Sequence, residues 1–149
     1  MENIMRPQQD ENQAIQFRIC KAEDVTLAVM GVGQFSQTMG FDQGRKIMMM
    51  TTTSELTTNI LKYAGSGWFF VSKIQRKPPN SKSSPLGILM AAEDSGPGIT
   101  DLQKALKDHY STSGTLGLGL PGVKRLMDSF EIESLPGQGT KVRVVKWKS

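Results

Sequence analysis

Three short polar segments combine residue types that can hold or activate a charged ligand. In 54–64, SELTTNILKYA, Glu55 and Asn59 are four residues apart. On a helix that spacing puts both on one face, one turn above the other. A carboxylate beside an amide oxygen can order a water, a hydroxyl or Mg²⁺, while the competing reading is an ordinary exposed helix face. In 93–99, EDSGPGI, an apolar run leads directly into Asp94, Gly96 and Gly98. The Asp94 carboxylate can accept a hydrogen bond from an exocyclic amine such as adenine N6, and the two glycines let the backbone pass close to a flat ring. Asp, Ser, Gly and Pro are also turn formers, so a plain turn is the alternative.

The third segment is 111–128, STSGTLGLGLPGVKRLMD. Gly114, Gly117, Gly119 and Gly122 precede and open a helix, whose free N–H groups and dipole can hold phosphate oxygens. Ser111, Thr112, Ser113 and Thr115 add hydroxyl donors, and the glycines allow the segment to act as a lid.

Several other chemistries are excluded or disfavoured. Gly117, Gly119 and Gly122 satisfy G-x-G-x-x-G, but the preceding KDHYSTSG is not a strand and no βαβ unit surrounds them. No G-x-x-x-x-G-K-[ST] occurs, and the valine-alanine-isoleucine-lysine and histidine-arginine-aspartate signatures of ordinary protein kinases are missing. His109 is the only histidine, which leaves a histidine metal cluster or a Ser-His-Asp triad resting on one residue. Cys20, the only cysteine, cannot form an internal disulfide; its apolar-alternating surroundings predict a buried, inert thiol.

The elements that must position these residues follow from hydrophobic period. AIQFRIC, 14–20, alternates with Ile15, Phe17 and Ile19 on one face and reads as a strand. A helix capped by Asp24 is expected over 24–39, with Val25, Ala28, Val29, Val32, Phe35 and Met39 inward and Gly40 as its stop. A second helix is expected over 42–64, burying Ile47, Met48, Met50, Leu56, Ile60, Leu61 and Ala64 and stopped by Gly65. Strands at 68–74 and 86–92 flank a polar, Pro-rich connection. A short helix at 102–107, a helix at 120–130 with Pro121 in its first turn, and strands at 131–135 and 141–147 complete the chain. Residues 1–14 read as a mobile tail and 15–149 as one domain.

Helices grouped apart from hairpin-connected strands imply an α+β two-layer sandwich, with a mixed, mainly antiparallel sheet covered on one face. The net charge is +4 and the pI about 9.3, yet the basic residues are scattered and no aromatic residues interleave with them. A solvated surface, or a patch for an acidic protein partner, is the better reading than nucleic-acid binding. The chain has no apolar run of about 18 residues and no secretory h-region, so a cytoplasmic location is expected.

In order, the three segments resemble the N, G1 and G2 boxes of the GHKL ATP-binding superfamily, and most strongly the RsbT-type switch kinases. The likeness covers about 16–147: FRICKAEDV, GF at 40–41, SELTTNILKYAG, AEDSGPGI, YSTSGTLGLGLPGVKRLMDSF and GTKVRVVKW. It implies a Bergerat fold binding ATP and Mg²⁺. Glu55 would be the general base and Asn59 the Mg²⁺ ligand. Asp94, Gly96, Gly98 and Thr140 would form the adenine site. Thr112, Ser113, Gly114, Gly117, Leu118, Gly119 and Leu120 would complete the nucleotide contacts. The resemblance further implies phosphoryl transfer to a serine or threonine of a STAS-domain protein, and binding of a PP2C-type phosphatase. A non-catalytic, anti-sigma-like nucleotide-dependent binding module is the alternative; retention of both Glu55 and Asn59 favours the kinase. A histidine kinase would need a phosphorylatable histidine on a dimerising helix, and a topoisomerase-like machine a transducer domain, and neither is expected here.

Overall fold

The computed structural model describes residues 8–9, 14–76, 85–101, 105–106 and 119–149. The elements run β1 Gln8–Gln9, β2 Ile15–Ile19, α1 Ala22–Thr38, α2 Gln43–Asn59, a π-helical turn Ile60–Ala64, β3 Gly67–Gln75, β4 Leu86–Asp94, α3 Gly119–Leu126, β5 Ser129–Leu135 and β6 Gly139–Trp147. The sheet order is β1-β3-β4-β6-β5, with β2 also paired to β3. Every pairing among the described residues is antiparallel, so the sheet is not mixed there. The α+β sandwich expected from the sequence is the fold observed. Within the expected tail, Gln8–Gln9 pairs with Ile74 and Gln75; the rest of 1–13 lies outside the described residues.

Alternation sorts the sheet into two faces. Ile15, Phe17, Ile19, Phe69, Val71, Ile88, Met90, Ala92, Val142 and Val144 meet the helices in the main core. On the other face Ile74, Leu89 and Val145 form a smaller cluster with Trp147. The Arg76 guanidinium sits 4.6 Å from that indole's centroid. Near the end of β6 Lys146 is buried and structural, donating to the Leu126 carbonyl at 2.8 Å and Asp128 Oδ1 at 3.4 Å.

Helix boundaries depart from expectation in instructive ways. Asp24 is the third helical residue of α1, not its cap; its Oδ2 accepts from the backbone N–H of Cys20 at 2.9 Å and Lys21 at 3.1 Å. Those bonds, led by the one from Cys20, hold its carboxyl below the ordinary range. Cys20 is exposed rather than buried, because it falls one residue beyond β2 in the bend before α1. Gly40 ends the helix as expected, with φ of 84°.

In α2 the inner face is rotated from the expected stripe. Met49, Thr52, Thr53, Leu56 and Thr57 are buried, whereas Ile47 is 53% exposed. Three consecutive methionines leave the register open, and threonines can occupy the core because their hydroxyls bond back along the helix. Thr53 Oγ1 donates to the Met49 carbonyl at 2.8 Å and Thr57 Oγ1 to the Thr53 carbonyl at 2.7 Å. Thr52 Oγ1 is buried with no hydrogen-bond partner among the described residues. The expected helix at 120–130 stops at Leu126, and Phe130 belongs to β5, where an alternating pattern takes over. The Pro-rich connection at 77–84, and 102–104 and 107 of the expected short helix, lie outside the described residues. No helix among the described residues is long and apolar enough to cross a membrane.

Candidate functional site

Glu55 and Asn59 lie in the last turns of α2, both half-buried. Directly after Asn59 the helix widens: Gly65 N–H donates to the Ile60 carbonyl at 2.9 Å, a π-type bond across five residues. Such widenings are common at functional sites, because they displace the side chains on either side. This turn packs on β3 and β4, and α2 itself packs on β4, β6 and α3.

Strand register builds a transverse row at one end of the sheet. Ile19 pairs with Gly67, Gly67 with Asp94, Asp94 with Thr140, and Thr140 with Ser134. The row is on the helix-covered face, since Phe17, Phe69, Ala92, Val142 and Ile132, two residues along each strand, pack in the main core. Asp94 is half-buried, and its Oδ1 accepts from the Gly96 N–H at 2.9 Å. Thr140 Oγ1 lies 2.8 Å from Ser134 Oγ, which also accepts from the Ile99 N–H at 2.7 Å. Gly137 N–H donates to the Pro97 carbonyl at 2.7 Å. The loop after β4 is thus tied to the β5–β6 hairpin from two directions.

Glycine is required at several of these positions. A Cβ on Gly96 would lie 2.6 Å from Ala64 Cβ, at the end of the π-helical turn. On Gly98, at φ of 78°, it would meet the Leu135 carbonyl oxygen at 2.2 Å; on Gly139, at φ of 90°, the Asp94 carbonyl oxygen at 2.1 Å.

The structure therefore brings Asp94, Gly96, Gly98 and Thr140 together. It sets Glu55 and Asn59 on the helix whose continuation covers that end of the sheet. Gly119 and Leu120 open α3 against α2. The Leu120 side chain is buried in the core, so only its backbone is placed for a ligand. Thr112, Ser113, Gly114, Gly117, Leu118 and His109 lie outside the described residues. Sequence reasoning missed Ser134. Its signal was the hairpin itself, because a turn centred on Pro136–Gln138 sets Ser134 opposite Thr140.

These residues fit an adenine nucleotide. Asp94 Oδ1 is oriented by a backbone amide, while Oδ2 takes no hydrogen bond among the described residues and is suited to an amine donor. Among the described residues no group of three or more His, Cys, Asp or Glu could hold a metal unaided. Asn59 could supply an amide oxygen to a hard cation such as Mg²⁺, which is commonly held by few protein ligands.

Residues 44–149 match the family described as Histidine kinase-, DNA gyrase B-, and HSP90-like ATPase. The chain is 38% identical over 130 residues to the serine/threonine-protein kinase RsbT of Bacillus subtilis, covering 87% of this chain and 93% of that one. It is 31% identical over 100 residues to an anti-sigma F factor of Caldanaerobacter subterraneus subsp. tengcongensis, covering 65% of this chain and 66% of that one. An anti-sigma F factor of Clostridium kluyveri is 24% identical over 140 residues, covering 92% and 94%. The span of the family match and the length of the RsbT alignment lead to one conclusion: the chain belongs to the histidine kinase-, DNA gyrase B- and HSP90-like ATPase family, in its RsbT-type serine/threonine kinase branch.

Proposed function

We propose that this chain transfers the γ-phosphate of ATP to a serine or threonine of a STAS-domain regulatory protein in a cytoplasmic partner-switching pathway. The observation that carries the reading is the amide-held Asp94 carboxylate in a row with Thr140, beneath the helix that bears Glu55 and Asn59. Asp94 accepts from the adenine amine, with Gly96, Gly98 and Thr140 around the base. Asn59 would hold Mg²⁺, which when bound would neutralise charge on the phosphates. The amides of Gly119 and Leu120, and the run containing Thr112, Ser113, Gly114, Gly117 and Leu118, contact the triphosphate. Glu55 takes the proton from the acceptor hydroxyl as that oxygen bonds to the γ-phosphorus and the bond to the bridging oxygen breaks, with ADP as leaving group.

Two variants separate these roles. Glu55→Ala is expected to keep ATP affinity in calorimetry while transfer of labelled phosphate falls by about 10²–10⁴-fold. Asp94→Asn turns an acceptor toward the amine into a mixed group, and is expected to weaken ATP binding by about tenfold or more. Equal transfer by wild type and Glu55→Ala removes the general-base assignment. The relatives named anti-sigma F factors favour a second activity, capture of a protein partner. For this chain we assign that role to binding of a PP2C-type phosphatase, which Glu55→Ala should leave intact in a pull-down with the purified phosphatase.

A further inference from the structure

We propose that Lys146 is a positioning residue for phosphate binding, its buried ammonium fixing the tilt of α3 and so the place of the Gly119 and Leu120 amides; this rests on the reading above that those amides contact the triphosphate. Lys146 lies on the core face of β6, in alternation with Val142 and Val144. Its Nζ donates to the carbonyl of Leu126, the last residue of α3, at 2.8 Å and to Asp128 Oδ1 at 3.4 Å. The final carbonyls of a helix have no partner within it, and a lysine placed there satisfies one of them and complements the negative end of the helix. Burying an ammonium is costly even when it is paired, and an apolar side chain of similar length would fill the same space without that cost. What the ammonium adds is direction.

Leu120, Val123 and Met127 hold α3 in the main core through contacts that have little directionality. The Lys146 bond is directional and ties the helix end to a strand. Asp128, which faces the same ammonium, is itself fixed to β6: its N–H donates to the Val145 carbonyl at 2.9 Å and its Oδ2 accepts from the Trp147 N–H at 2.7 Å. β6 carries Thr140 of the base site toward its other end, and α3 carries Gly119 and Leu120 at its own. A strand and a helix thus meet at one buried contact, and their far ends bear two parts of the nucleotide site. The eight residues of α3 span about 12 Å, so a tilt of about 5° at Leu126 moves the Gly119 end by about 1 Å. Misplacement of that size is enough to spoil well-aligned hydrogen bonds to a ligand.

Helix capping alone would make Lys146 matter for stability and leave the ranking of ligands unchanged. Positioning predicts that the base still binds while the phosphates add less.

The test uses the full chain with Mg²⁺, measuring ATP affinity by calorimetry and adenosine affinity by displacement of bound ATP. Wild type should bind ATP more tightly than adenosine. Lys146→Met leaves both Asp128 bonds to β6 in place, and should lower the ATP-to-adenosine affinity ratio by about tenfold while adenosine affinity stays within about twofold. If that variant does not fold, Asp128→Asn decides: it keeps an oxygen for the Trp147 N–H, removes the charge facing the ammonium, and should lower the same ratio by about threefold. A ratio equal to wild type in the deciding variant, whatever its melting temperature, overturns the positioning role and leaves the nucleotide site standing. Adenosine binding to wild type as tightly as ATP removes the phosphate placement at α3 and this inference with it. ATP that does not bind wild type, or that adenosine never displaces, removes the base site as well.

Discussion

At the scale of single residues, the site depends on atoms that are missing as much as on those present. Gly139 lets β6 lie against the end of β4, where a Cβ would sit 2.1 Å from the Asp94 carbonyl oxygen and 2.8 Å from Ser95 Cα. Its φ of 90° is also unfavourable for any side chain. Gly139→Ala should therefore destabilise the fold by about 1–3 kcal/mol in urea denaturation and weaken ATP binding by shifting Asp94. Stability equal to wild type would show that the strand ends can separate without disturbing each other. Asp94, Gly96 and Gly98 could be singled out in the sequence as a carboxylate and two glycines ending an apolar strand, with a plain turn as the competing reading. Ser134 was not, since its role exists only once β5 and β6 are in register and the loop of Ile99 folds back onto them.

At the scale of elements, α2 shows what periodicity can and cannot settle. The existence of the helix and its stops were readable from Asp42 and Gly65, whereas its inner face was not. Hydrophobic period ranks methionine and isoleucine above threonine, but backbone-bonded hydroxyls let Thr53 and Thr57 take core positions while Ile47 turns outward. The π-helical turn after Asn59 was equally hidden, because no residue type is reserved for it. At the other end, Asp42 accepts from the Arg45 N–H at 2.8 Å and also pairs with its guanidinium. The backbone bond, followed by the side-chain bond, lowers the Asp42 carboxyl from its ordinary value of 3.8. A carboxyl lowered on folding stabilises the native state above its unfolded pKa, near 4, and loses that contribution as pH falls through the lower folded value. Asp42→Asn keeps a capping oxygen but no charge. Wild type should therefore be the more stable of the two at pH 6, and the difference should shrink as the pH falls below about 4 in urea titrations. A gap that persists at low pH would assign the effect to geometry instead of charge.

For the whole molecule, the two-layer arrangement followed from the grouping of periodic segments, whereas the strand order, with β6 between β4 and β5, did not. The second cluster of Ile74, Leu89, Val145 and Trp147 on the helix-free face was not foreseen, nor was the burial of Lys146 among residues that read as a solvated basic group. Both depend on which strand lies beside which, information that short-range patterns do not contain. Because the proposed base site joins β4, β5 and β6 to the loop after β4, occupancy should stabilise the domain as one unit. ATP at about a hundred times its dissociation constant should add about 2.7 kcal/mol to unfolding, an increment that a tenfold loss of affinity in Asp94→Asn should cut to about 1.4 kcal/mol at the same concentration. A melting curve unmoved by ATP in the wild type would count against the site. The transverse row has a further consequence during synthesis. Its members come from positions 19, 67, 94, 134 and 140, so the row cannot close until segments far apart in the chain have all been made. Nucleotide bound at the proposed site would then have nothing to grip on a shorter nascent chain, and would act as a late checkpoint that rewards polypeptides whose distant segments have already closed.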